Sequence, residues 1–93
     1  MEVKIARSFV KDLKMVPKPI QQLTQQLIEK LLAAATLQES GVDYTKLEGQ
    51  KKGEQYYCIR VGDWRIGIEY DHPEVIILRI LARGTIYKKF PPQ

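Results

Sequence analysis

The stretch "YYCIRVGDWRIGIEY", residues 56–70, constrains the fold more than any other part of the sequence. Apolar and polar residues alternate on both sides of Gly62-Asp63, a dipeptide suited to a two-residue hairpin turn. With that turn Val61 pairs with Trp64, and Tyr57, Ile59, Val61, Trp64, Ile66, Ile68 and Tyr70 share one face. The same register sets Arg60 directly opposite Arg65, and like charges so placed repel. An isolated hairpin is barely stable, so other elements must cover its apolar face.

Candidates for that role precede it. "EVKIA" alternates and predicts a first strand. Ser8 is placed to cap a short helix, "FVKDLKMV", with Phe9, Leu13 and Val16 on one side. Pro17 and Pro19 end it and open a longer helix, "PIQQLTQQLIEKLLAAATLQES". Ile20, Leu23, Leu27, Leu31 and Ala34 form its apolar stripe, widened by Ile28, Leu32 and Ala35, and Gly41 is the expected stop. "VDYTKLEGQKKGEQ" reads as a polar connection. A further strand, Val75 to about Arg83, follows the turn "DHPE", and "GTIYKKFPPQ" predicts a helical turn halted by two prolines. This order predicts an α+β fold: an N-terminal strand and helical hairpin packed on an antiparallel sheet of about four strands.

Ninety-three residues suit one domain spanning 1–93, and 44% hydrophobic residues are too many for a disordered chain. No apolar run is long enough to span a membrane, and the N-terminus has no signal-peptide core. Cys58 is alone, which excludes an internal disulfide and a cysteine metal site and fits a reducing cytoplasm. No metal or cofactor is expected. The net charge of +4 and pI of about 9.3 favour an acidic partner.

Pleat alternation says where the positive charge goes. Arg60 and Arg65 lie on the hairpin face opposite the core. In the last strand, Ile76, Leu78, Ile80 and Ala82 are expected to face the helices. Val75, Ile77, Arg79, Leu81 and Arg83 then face the other way, which gathers four arginines on one surface, with Tyr56 and Tyr87 among them. An anion between the guanidinium groups relieves their repulsion, and the Arg fork matches phosphate oxygens. The surface is therefore expected to bind a polyanion.

"YYCIRVGDWRIGIEYD" followed by "VIILRILARGTIYKKF" resembles the RelE/ParE toxin superfamily of type II toxin–antitoxin modules. The resemblance rests on Trp64-Arg65 after the Gly-containing turn, an apolar last strand ending in Arg83, and Arg83-x-x-x-Tyr87 with basic residues beyond. It implies a RelE-like fold and, in the RelE branch, ribosome-dependent cutting of mRNA by attack of a 2′-hydroxyl on the next phosphate. By that resemblance Arg65, Arg83 and Tyr87 are the catalytic candidates. Arg60, Arg79, Lys51, Lys52, Lys88, Lys89 and Tyr56 are the RNA-binding ones. Mutual partners would be mRNA, the ribosome and an antitoxin with an acidic segment. The non-enzymatic ParE branch, which inhibits DNA gyrase, and an inactive antitoxin-binding homologue are the alternatives. One departure matters: many RNA-cutting relatives have His where this chain has Ala82. His72 falls in the "DHPE" turn as an ordinary turn residue, which leaves a tyrosine, a lysine or a carboxylate such as Glu54 or Glu69 as base.

Overall fold

The computed structural model describes residues 1–91. In chain order the elements are β1 (Glu2–Ile5), α1 (Arg7–Leu13), α2 (Lys18–Ala33), β2 (Tyr44–Lys46), β3 (Tyr56–Val61), β4 (Trp64–Asp71), β5 (Glu74–Ala82) and α3 (Arg83–Lys89). The fold is α+β, with the strands forming one sheet in the order β1-β5-β4-β3-β2. β1 runs parallel to β5 and the remaining pairs are antiparallel. The sheet thus has five strands, the extra one being β2, whose three residues lie in the stretch expected to be a polar connection.

The central hairpin has the expected register, Val61 to Trp64 and Arg60 to Arg65. Gly62 takes φ 59°, which the turn requires at its first position, while Asp63 stays at negative φ. Ile59, Ile66 and Ile68 are fully buried against Phe9, Leu27, Leu31 and Leu37. Each such side chain contributes about 1.5–3 kcal/mol by leaving water, so this face dominates stability.

The helices differ from expectation at their ends. α1 starts at Arg7, and the Ser8 hydroxyl, instead of capping it, donates to the Leu78 carbonyl at 2.6 Å. α2 stops at Ala33, well short of Gly41, because Ala34 turns extended and the chain folds back to bury Leu37. The Leu37 N–H donates to the Tyr70 hydroxyl, and the Met1 amino group donates to the last α2 carbonyls. The buried line of α2 is Thr24, Leu27 and Leu31; Leu23 and Leu32, placed in the stripe by spacing, are 46% and 53% exposed.

β5 carries the largest correction. Gly67 pairs with Arg79 and Ile68 with Ile77, so Leu78 is an extra residue and the strand bulges there. A bulge switches the faces of all that follows. Before it, Val75 and Ile77 point into the helix-facing core, the reverse of expectation; after it, Ile80 does, as expected. Leu78 and Leu81 pack on the other face with Ile86, Phe90, Cys58, Leu47 and Tyr56. α3 therefore covers part of the face expected to be open. Its Phe90 ring lies so close to Gly67 that a Cβ there would come within 2.6 Å of it.

Past the end of β1, α1 takes over the edge of β5. The Asp12 carboxylate accepts the Ile80 N–H at 3.1 Å and the Arg79 guanidinium at 2.7 and 3.1 Å. Both side chains are largely sheltered, so losing the acceptor strands a charge and a backbone donor. Asp12→Ala is expected to lower the unfolding free energy by about 2–4 kcal/mol in urea titrations. Arg79→Ala should cost less, because Ile80 keeps its partner.

Candidate functional site

β2 aligns with β3 as Tyr44 to Ile59 and Thr45 to Cys58, and the Arg60 N–H donates to the Asp43 carbonyl at 2.8 Å. Val42 and Tyr44 pack on the core side, Tyr44 edge-on to Tyr57, so Asp43 and Thr45 fall on the opposite face. Across the sheet this makes a row: Asp43, Arg60, Arg65. Beside it Thr45 and Cys58 form a second row, and Tyr87 reaches in from α3 with 61% of its surface exposed. Together Asp43, Thr45, Cys58, Arg60, Arg65 and Tyr87 line a cleft of about 220 Å³. A neighbouring, more apolar hollow of about 400 Å³ shares Thr45, Cys58 and Tyr87 and continues to Leu47, Phe90 and Pro91.

Arg65 is held in place. Its Nη1 donates to the Gly62 carbonyl at 2.8 Å and to the Trp64 carbonyl at 2.9 Å, which anchors the guanidinium to its own turn. Arg60 is exposed. The Cys58 thiol on the cleft floor is only 4% exposed, and burial pushes it up to about 11, with Arg65 pulling it partly back.

The other expected site residues are more scattered. Arg83 is exposed in the first turn of α3, and its N–H donates to the Asp63 carbonyl, which puts its backbone beside the hairpin turn. Lys88 and Lys89 are exposed in the last turn of α3, and Lys51 and Lys52 in the loop between β2 and β3. Arg79 keeps the strand parity expected of it, opposite Gly67, but Asp12 takes its guanidinium, so it does not join the shared arginine surface. Tyr56 lies opposite Glu69 and edge-on to Phe90. Burial first, then Glu69 and Glu54, raise its hydroxyl above the usual phenol range. Both carboxylates suggested as bases thus lie beside Tyr56, four residue pairs or about 13 Å along the strand from Arg60 and Arg65. His72 is an exposed turn residue whose Nδ1 is 3.0 Å from the Tyr70 hydroxyl. Ala82 is the cap residue of α3.

Asp43 and Thr45 were not among the candidates. The signal lay in "VDYTK", which alternates like a strand but sits within a polar stretch.

The architecture is a five-stranded sheet with a helical pair on one side, a short C-terminal helix on the other and an arginine-lined cleft beside it. The sequence matches, over residues 3–87, the family described as the ParE toxin of type II toxin–antitoxin system, parDE. It is 41% identical over 91 residues to Toxin RelE3 of Methanocaldococcus jannaschii, covering 98% of this chain and 100% of that one. The fold is similar to the RelB–RelE antitoxin–toxin complex from Methanococcus jannaschii, with TM-score 0.78, 39% identity and 95% and 99% of the two chains covered. It is also similar to the archaeal RelE–RelB complex from Pyrococcus horikoshii, with TM-score 0.68, 28% identity and 89% and 94% covered. The chain belongs to the RelE/ParE superfamily of type II toxin–antitoxin toxins.

Cys58 supplies a pH test. The folded state favours the neutral thiol, whereas the unfolded chain ionises near 9.0, so the stability due to burial is full below that pH. It is lost as pH rises toward about 11. Wild type is expected to lose more stability over that window than Cys58→Ala does, measured as the difference between their urea midpoints at each pH.

Proposed function

We propose that this toxin cuts mRNA on the ribosome, using guanidinium groups to stabilise phosphate charge while the 2′-hydroxyl attacks. The observation that carries the reading is the cleft in which Arg60 and Arg65, opposed across a strand pair, meet Tyr87. A protein gains nothing in stability from that opposition. It gains a site where negative charge is favoured, and the reaction concentrates such charge on the equatorial phosphate oxygens. Arg65 is already oriented by two carbonyls, so little reorganisation accompanies binding. Tyr87 is placed to stack on a base or to donate a proton to the leaving 5′-oxygen. Arg83 sits one helical turn before Tyr87, on the same short helix, and serves as a third phosphate ligand beside Arg60 and Arg65. Lys51, Lys52, Lys88 and Lys89 hold flanking phosphates, and their contribution weakens with salt. Arg79 is left out of the RNA contacts, because Asp12 occupies it.

The similar RelE chains are complexed with RelB, and this chain is inferred to have an antitoxin of its own. An acidic segment from that partner laid over Arg60, Arg65 and the α3 lysines would block the cleft by charge complementarity. A second reading, inhibition of DNA gyrase without catalysis, is favoured by the ParE description of the matching family and by Ala82.

Transcript mapping after tightly controlled expression separates the two. Cuts inside translated codons are expected, falling by about 10²–10³ in Arg65→Ala and in Arg83→Ala. Intact mRNA together with DNA-damage induction would instead select the gyrase reading. Equal cutting by wild type and both variants would remove these residues from the site.

A further inference from the structure

We propose, on the ribonuclease reading above, that Asp43 is the general base of the cleft. Attack by a 2′-hydroxyl needs a group to take its proton, and the residues lining the cleft leave one choice. Arg60 and Arg65 have no acceptor, and Thr45 offers only a neutral hydroxyl. The Cys58 thiol is 4% exposed and favours its protonated form. Tyr87, which comes from α3, is suited to give a proton rather than take one. Asp43 supplies a carboxylate, an acceptor by nature.

Its placement suits the task. The Arg60 N–H bond to the Asp43 carbonyl fixes the backbone, and the β2–β3 register puts Asp43 across from Arg60. Two strand spacings, about 10 Å, then separate the backbones of Asp43 and Arg65, with Arg60 between them. In this proposal the RNA runs so that the ribose preceding a phosphate over the two arginines lies on the Asp43 side. Among the described residues, the ion pairs are Lys4–Glu74 and Arg79–Asp12, so Asp43 is not engaged in one. Asp12, by contrast, is fully used by Arg79 and Ile80.

The step balances as follows. The 2′-O–H bond breaks and its proton goes to an Asp43 carboxylate oxygen, while the 2′-oxygen forms a bond to phosphorus. The P–O5′ bond breaks, and the leaving oxygen takes the Tyr87 hydroxyl proton. A 2′,3′-cyclic phosphate and a 5′-hydroxyl end result, and water carries the proton from Asp43 back to Tyr87.

Asp43 could instead serve only to balance the charge of Arg60, and substitution distinguishes the two roles. Asp43→Asn keeps the shape and removes the base. Single-turnover cutting of ribosome-bound mRNA is expected to fall by about 10²–10⁴. Binding to ribosomes carrying mRNA with a 2′-deoxy nucleotide at the cut position should hold or tighten, since a negative charge near phosphate is gone. Asp43→Glu should recover part of the cutting rate. Asp43→Asn that cuts as fast as an active wild type, or loses its rate only in proportion to lost binding, overturns the base assignment and leaves the ribonuclease reading intact. A wild type that does not cut under these conditions removes both.

Discussion

Asp12 sits at the point where the sheet changes hands. β1 pairs with β5 only as far as Ile77, whose carbonyl takes the Ala6 N–H, and beyond it the edge of β5 would face water or a bare helix. A buried, unpaired backbone group costs about 1–3 kcal/mol. The first turns of α1 remove that cost: Ser8 donates to the Leu78 carbonyl, and Asp12 accepts from Ile80 and secures Arg79. The bulge at Leu78 falls within this strip, where side chains on α1 can follow an irregular edge as a second strand could not. The edge is thus closed by side chains, and it needs no further strand.

Much of the other face follows from that bulge. By switching parity it sends Ile80 into the helix-facing core while Leu78 and Leu81 turn to meet Ile86 and Phe90. A second small core forms there and seats α3, with Gly67 leaving room for the Phe90 ring. Because α3 is fixed over this part of the sheet, Tyr87 lines the same cleft as Arg60 of β3, Arg65 of β4 and Thr45 of β2. The second core and the cleft adjoin, since Leu81 pairs with Arg65 and Cys58 belongs to both.

The hairpin was legible because each of its residues obeys one period, and its turn admits one register. The opposed arginines could therefore be read directly from the sequence. β5 was not legible in the same way. In "VIILRIL" both alternating rows are apolar, so hydrophobicity carries no information about which row faces the helices or where the parity switches. The fate of Arg79 depended instead on Asp12, which is 67 residues away in the chain. β2 was missed for a different reason: three residues amid glycines and lysines give too short a pattern to outweigh the composition around them. Asp43 went unnoticed with it. The end of α2 was set by Leu37 and Tyr70, a tertiary contact that overrides helix periodicity.

The opposition of Arg60 and Arg65 has to be weighed with the residues on either side of it. Arg65 is drawn toward the carbonyl dipoles of Gly62 and Trp64, which offset part of its charge without neutralising it. Arg60 has Asp43 across the next strand, near enough to lower the local potential yet not bound to it as a salt bridge. Had Asp43 closed onto Arg60, the pair would form a stable, saturated patch with no affinity for phosphate. Had Asp43 been absent, two cations would repel across the hairpin with nothing nearby to moderate them. The arrangement between these limits keeps both guanidinium groups available and leaves a carboxylate free beside them. On the proposed function, an anion entering the cleft completes the charge balance that the folded chain leaves open, so the feature that weakens the hairpin is the one that would favour a phosphate there.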